Sequence, residues 1–537
     1  MSRQTKKQSF MSGTAMMAAS VAIVKIIGAV YKIPFGNIVG SEGQTYFNVA
    51  YNIYNMLLTV STAGLPLAIS KLTSQSHARG LENQKRKIFR TSVWLFFAFG
   101  LAGSLLMFFW AAPLAGFMNE PLGYWPIKAL APSVFCVCLL SCMRGYTQGQ
   151  GDMTPSAVSQ VIEALGKLVL GLSLAWYIVR QGLGMDLAAA GAIWGVTVGT
   201  VISMFYLIFY ILRHRDRSQA LDAPESTGQI LRQILAIGVP ITVSNSAMSI
   251  ISLVDTKNVL GRLRSIPELS DRAAELFGQY TFGMNLINLA PSFVFSITIS
   301  LIPFAAAALT RKDHAEASRI ISSGFRLVAV LAIPAGVGLS VLGGPALQML
   351  YPRRQLDALA AAPHMRCLGI ACIFICLMNL TNAILQTYGK EHLPIIAVLT
   401  GGIIKVVMNY VLVGNPAINI HGAPVSTLCC YLVIAAMNLV FVWKYSEEKP
   451  RYFQLFAKPV LASLLMGGAA WAIHGFTYRL LSAGHSAYGA NAIAVMLGIL
   501  GGVVVYGVLV VALQILRAED VRSVPHGAKL AKILHLK

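Results

Sequence analysis

A chain of 537 residues that is 56% hydrophobic and 12% charged carries about half the charge of a soluble protein, and its mean hydropathy of +0.65 excludes an ordinary water-soluble fold. Its 42 lysines and arginines against 21 acids give a formal charge of +21, yet no basic–aromatic stripe or nucleic-acid module accompanies them, which excludes a nucleic-acid partner. Apolar stretches of about 20 residues, enough to cross a hydrocarbon core of ~30 Å, recur along the whole length, so the expected class is an all-α polytopic membrane protein with about fourteen spans.

The chain opens with Arg3, Lys6 and Lys7 and then an apolar segment that outlasts a signal peptide and lacks a small-residue cleavage site; it reads as a retained first span. That span, 10–35, carries Lys25 about 22 Å along its axis and Lys32 seven residues on, on the same face. The second, 45–73, presents Asn48, Asn52 and Asn55 on one side and ends in Leu65-Pro66 and Lys71. Spans at 90–113 and 124–147 follow, the latter with Arg144 near its end. The fifth, 155–180, holds Lys167 about 18 Å beyond Pro155, with Glu163 at i−4, where a private ion pair is one reading. After 187–212, the seventh span, 229–256, ends in Asp255 beside Lys257. The eighth, 277–309, repeats the amide pattern with Asn285 and Asn288, and 317–342, 366–388, 393–414 with Lys405, 421–445, 453–476 and 487–516 complete the set.

Loop charge orients these spans. With the N-terminus inside, Arg79, Lys85–Lys87, Arg213, Arg215, Arg217, Arg311, Lys312, Lys390, Lys444, Lys449, Arg451 and the tail fall on the cytoplasmic side. The outer loops 36–44, 114–123 and 415–420 carry no Lys or Arg, while Arg262, Arg264, Arg272, Arg353 and Arg354 break the pattern. The asymmetry places both termini in the cytoplasm of a multi-pass protein of the cell membrane.

The chain also repeats itself. Gln148, Gly151 and Lys167 recur as Gln386, Gly389 and Lys405 at identical separations, with Pro155 and Pro394 after the glycines. Gly191-Ala192 recurs as Gly422-Ala423, and Leu65-Pro66 as Ile302-Pro303. An even number of spans per copy leaves the copies parallel. The expected organisation is an N-terminal lobe (1–218, helices 1–6), a C-terminal lobe (219–448, helices 7–12), and 449–537 with helices 13 and 14 and a basic cytoplasmic tail.

Ionisable groups inside a bilayer are expensive and mark function by default. Lys25, Lys32, Lys167 and Lys405 give the interior a cationic inventory that suits a diphosphate, against which Lys32 also reads as an interfacial anchor and Asp255 as an interface residue. The asparagines read either as glue between helices or as a polar lining for a sugar. The eight cysteines (Cys136, Cys138, Cys142, Cys367, Cys372, Cys376, Cys429 and Cys430) lie within predicted spans without metal-type spacing and read as apolar filler. No HExxH, nucleophile elbow or Walker motif is present, and Gly149-Gln150-Gly151 lies in a helix–helix turn rather than after a strand, so neither an enzyme nor a cofactor is expected.

Lys25-Ile26-Ile27-Gly28, Lys32, Gly40-Ser41-Glu42-Gly43 with Tyr46, and the run Gly64–Leu72 together resemble the MurJ-like and stage V sporulation protein B-like lipid II flippases of the multidrug/oligosaccharidyl-lipid/polysaccharide (MOP) superfamily. The resemblance extends to about the twelfth helix. It implies a V-shaped, two-lobed fold, alternating access, and a cationic cavity for the diphosphate of an undecaprenyl-diphosphate-linked saccharide, with lipid II for peptidoglycan synthesis as the cargo. Lys25 and Lys32 stand where the MurJ branch carries first-helix arginines, and Asn52, Asn55, Lys167, Lys405 and Asp255 complete the candidate substrate-binding set. The last two helices resemble a pair that forms a lipid-tail groove in MurJ. The expected partners are the lipid-linked saccharide and the phospholipid bilayer, with cell-wall synthesis proteins as candidate partners. Another undecaprenyl-linked polysaccharide unit, a MATE-type small-molecule antiporter and a non-transporting scaffold are the alternatives.

Overall fold

Eleven helices of the computed structural model, which describes residues 10–62, 64–214, 222–484 and 486–516, are long and apolar enough to cross a membrane. No strand occurs among the described residues. Large apolar side chains such as Trp94, Phe109, Phe205, Phe453 and Trp471 are exposed along these helices, a surface that lipid accepts and water does not. The all-α membrane class expected from composition is the one found. The chain divides into two compact units, Met1–Arg264 and Ser265–Lys537.

The first unit starts with α1 (Phe10–Thr62), continuous except at Gly40, where φ is 70° and ψ −168°. That backbone is open to glycine and strained for other residues, so the gap expected at 36–44 narrows to one residue. The second predicted span is itself interrupted and resumes as α2 (Leu65–Ala78), with Pro66 in the first turn, where its missing N–H costs nothing. α3 (Glu82–Phe109), the short α4 (Ala111–Phe117), a 3₁₀ turn and α5 (Tyr124–Gly149) follow. The fifth predicted span appears as α6 (Thr154–Gly166) and α7 (Leu172–Arg180), joined by a π-helical turn over Lys167–Gly171. α8 (Met185–Arg213) explains that turn. Gly166 and Gly171 lie against Gly199, Gly195 and Ala192 so closely that a Cβ on either glycine would meet α8 backbone. α9 (Thr227–Arg264) packs on α1, α2 and α3. It heads the second sequence copy, yet it lies within the first compact unit.

The second unit contains α10 (Ala273–Ile287), α11 (Leu289–Thr310), α12 (His314–Leu350), α13 (Gln355–Ala361), α14 (His364–Thr387), α15 (His392–Leu412), α16 (Gly422–Tyr445), α17 (Tyr452–Leu481) and α18 (Ala487–Ala512). The eighth predicted span is divided at Asn288, whose side-chain amide donates to the Met284 carbonyl at 2.8 Å. α12 contains Pro334, which leaves the Val330 carbonyl without its helical donor. The Tyr506 hydroxyl of α18 donates to that carbonyl at 3.0 Å, and Asn491 of α18 donates to the Pro345 carbonyl at 3.0 Å. Pro334 thus accounts for Tyr506, while Asn491 adds a second tie between α18 and α12.

The duplicated sequence folds into the same turn twice. Gly151 (φ 82°) and Gly389 (φ 67°) are both left-handed. Their amides donate to the Gln148 and Gln386 carbonyls at 2.9 Å, and the next amides, of Asp152 and Lys390, donate to the Thr147 and Leu385 carbonyls at 3.1 and 3.0 Å. This is the glycine helix stop that satisfies orphan carbonyls. Two arginines that broke the loop-charge pattern are paired in place, Arg264 with Glu120 at 2.8 Å and Arg272 with Glu275 at 2.9 Å.

Candidate functional site

The first unit concentrates the chemistry. Where α1 folds back at Gly40, Tyr31 stacks on Phe35 with ring centroids 5.3 Å apart, Phe35 meets Phe47 at 4.8 Å, and Phe47 stacks on Tyr51 at 5.2 Å. These rings form a cage for one ammonium group. Lys167 Nζ lies 4.8 Å from the Tyr31 ring centroid, 5.5 Å from Phe47 and 4.6 Å from Tyr51. Cation–π attraction of this kind keeps a charge tolerable away from water. The π turn beginning at Lys167 re-aims the backbone just where this side chain departs, and such turns recur at functional sites. Lys32 lies within electrostatic reach of Lys167, and Lys25 is half-buried two turns earlier on α1. The structure therefore places Lys167 at an aromatic wall, with Lys32 adjacent to Tyr31 in sequence on α1.

The expected private pair between Glu163 and Lys167 is replaced by another. Glu163 Oε2 accepts from Arg144 Nη2 at 3.0 Å, while Arg144 Nε donates to Ser159 Oγ at 2.9 Å. Arg144 is thus an internal ion-pair partner. It prevails because its planar guanidinium reaches two acceptors from a neighbouring helix, whereas the Lys167 ammonium is held by the rings.

Asn52 is engaged between helices. Its Nδ2 donates to Thr256 Oγ1 of α9 at 2.8 Å, and its Oδ1 accepts from Ser252 Oγ at 3.3 Å. The Asn55 carbonyl accepts from Thr59 Oγ1 at 2.7 Å, and that hydroxyl meets Ser249 Oγ at 2.8 Å. The helix-joining reading of the second-span amides describes Asn52. Asp255 is buried on α9 beside Thr256.

Lys405 belongs to the second unit, buried on α15 with fully buried Asn409 one turn on. Sequence reasoning passed over one group there, Arg326, which is buried on α12 and donates from Nη2 to Ser323 Oγ at 3.1 Å. The signal was available: an arginine about 18 Å past the helix start at His314, inside an apolar run.

At the α4 end of the first unit Glu120 is fully buried beside Arg264. Burial pushes its carboxyl above the usual glutamate range, and the arginine opposes that rise. Among the described residues no group of three or more His, Cys, Asp or Glu has metal-binding proximity.

A multi-pass all-helical chain with fixed cations set deep in its spans has the build of a membrane transporter. The sequence places it further: the chain belongs to the polysaccharide biosynthesis protein family, which it matches over residues 10–308. The MatE family also matches, over residues 240–411. In Bacillus subtilis (strain 168), the uncharacterized membrane protein YabM is 28% identical over 98% of this chain and 97% of its own length. Lipid II flippase MurJ of that organism is 23% identical over 81% of this chain and 82% of its own, and stage V sporulation protein B is 23% identical over 97% and 98%. The solved structure of lipid II flippase MurJ in an inward closed conformation matches with a TM-score of 0.66 at 16% identity, covering 94% of this chain and 99% of that one. The family resemblance read from the opening motifs is borne out.

Proposed function

We propose that this chain is a flippase that moves a polyprenyl-diphosphate-linked saccharide, lipid II in particular, across the cytoplasmic membrane by alternating access. The observation that carries the reading is Lys167, an ammonium held against Tyr31, Phe47 and Tyr51, with Lys32 next to Tyr31 along α1. Ammonium groups held out of bulk water attract a diphosphate strongly. The flanking rings offer faces for a sugar. Lys25, Asn52, Asn55, Asp255 and Lys405 complete the proposed substrate path. The two sequence copies, 1–218 and 219–448, serve as parallel lobes, helices 13 and 14 in 449–537 are appended, and both termini are cytoplasmic.

A small-molecule antiporter, which the MatE match favours, needs free carboxylates for a cationic drug. Of the two candidate carboxylates, Glu163 and Asp255, Glu163 is bound to Arg144, which weakens that reading. A flippase for another undecaprenyl-linked unit would share the lysines and differs only in its glycan. The test is replacement of the resident lipid II flippase in a depletion strain: growth with normal lipid II turnover supports the proposal. Failure to grow while the chain is present in the membrane rejects lipid II as the cargo.

A further inference from the structure

We propose that the connection between α3 and α5 is a latch on the far end of α9, in which Phe117, Asn119 and Glu120 hold Lys257 and Arg264 and must release them before α9 can part from α1.

Three contacts of different chemistry meet there. Glu120 Oε2 accepts from Arg264 Nη2 at 2.8 Å, and this carboxylate is wholly buried. Asn119, left-handed at φ 57°, donates from Nδ2 to the Lys257 carbonyl at 3.2 Å. Lys257 Nζ lies 3.5 Å from the Phe117 ring centroid. Gly261 makes room for this grip, since a Cβ there would stand 2.6 Å from Asn119 Nδ2.

Other described contacts of the α1–α9 seam differ in kind. Asn52 with Thr256 and Ser252, and Thr59 with Ser249, are neutral side-chain contacts that water replaces at little net cost. The end contact is not replaceable in that way. Separating Arg264 from Glu120 strands a buried charge, and Arg264 Nε already lacks a partner. A seam of exchangeable hydrogen bonds closed at one end by a buried ion pair suits a two-state contact rather than a continuum. The opposite end of α9 is tied to the same unit, because Asp222 accepts from the Asn83 and Gln84 amides at 3.0 and 2.8 Å. Release at the Arg264 end therefore swings that end of α9 while its start stays fixed.

The experiment uses Thr256→Cys as a reporter, because Thr256 is buried in the seam at 3% exposure, about 12 Å along the helix from Arg264. It is labelled with a membrane-impermeant maleimide in cells, with the chain lacking the reporter as background. Adding Glu120→Ala or Arg264→Ala should raise the labelling rate roughly tenfold, and combining them should add little, since both break one contact. The reverse arm is Asn119→Cys with Gly261→Cys. A Cβ at 261 lies 3.4 Å from the position of Asn119 Cγ, which suits a disulfide. Oxidation should suppress labelling and transport, and reduction should restore both. Unchanged labelling in the two alanine variants at normal membrane abundance overturns the latch, as does full transport by the cross-linked chain. Labelling that follows the latch in a chain unable to replace a lipid II flippase would instead reject the cargo and leave the latch standing.

Discussion

Lys167 shows how a costly residue is made tolerable without a counter-ion of its own. Three rings from the two arms of α1 surround its ammonium, while the neighbouring carboxylate is committed to Arg144. If the ammonium receives a phosphate, Lys167→Ala should weaken substrate binding ten- to a hundred-fold, from about 1.5–3 kcal/mol for a charge-assisted contact. Lys167→Arg should retain most activity, since arginine keeps the charge and binds phosphate well. Tyr51→Leu should cost less, about 0.5–2 kcal/mol, by loosening the lysine rather than removing it. Substrate-dependent transport measured at matched membrane abundance checks this series. An active alanine variant would remove Lys167 from the path. The lysine itself was legible in the sequence from its depth past Pro155. Its cage was not, because Tyr31 and Tyr51 meet only when α1 reverses at one glycine, and a twenty-residue separation has no helical periodicity. For the same reason the i−4 spacing of Glu163 suggested a local pair where a non-local one formed.

At the scale of elements, prolines and glycines mark where the helices bend, stop or touch. The Gly151 and Gly389 stops were readable because a left-handed helix end demands glycine wherever it recurs. The interruptions before α2 and α11 were less so, since the apolar pattern runs through both and hydropathy alone does not register a broken backbone. The Tyr506 hydroxyl serves the carbonyl that Pro334 leaves without a donor. Tyr506→Phe should leave that carbonyl unsatisfied and cost about 1–3 kcal/mol, read as a lower melting temperature of the purified chain; an unchanged value would contradict the assignment. The loop contact of Asp222 gives a pH dependence. Desolvation acts against its charge, and the Asn83, Gln84 and Asp222 amides together with the Arg86 charge outweigh it, holding the carboxyl below the usual aspartate range. A depressed value means the contact is in force above the ordinary aspartate pKa, about 3.9, and is lost as pH falls through the folded value. Asp222→Ala should speed hydrogen exchange at Asn83 and Gln84 at neutral pH, and the native chain should show the same change only on strong acidification.

For the whole molecule, membrane class, the repeated turn and the cationic interior were all written in composition and spacing. The allegiance of α9 was not. Sequence symmetry assigns it to the second copy, whereas polar contacts from Asn52, Thr59, Asn119 and Glu120 hold it to the first unit. Such contacts depend on which residues meet, and one chain read alone does not reveal them. The central claim is that this chain carries a diphosphate-linked saccharide between leaflets, and the most direct measurement is translocation by the purified chain in liposomes. Lipid II bearing a fluorophore on its peptide would be exposed to a membrane-impermeant quencher, beside a matched phospholipid control. The account predicts that the native chain makes the inner-leaflet lipid II accessible, that the combined Lys32→Ala and Lys167→Ala variant does not, and that the phospholipid stays protected. Equal accessibility with the native and doubly substituted chains, or with no protein at all, would contradict it.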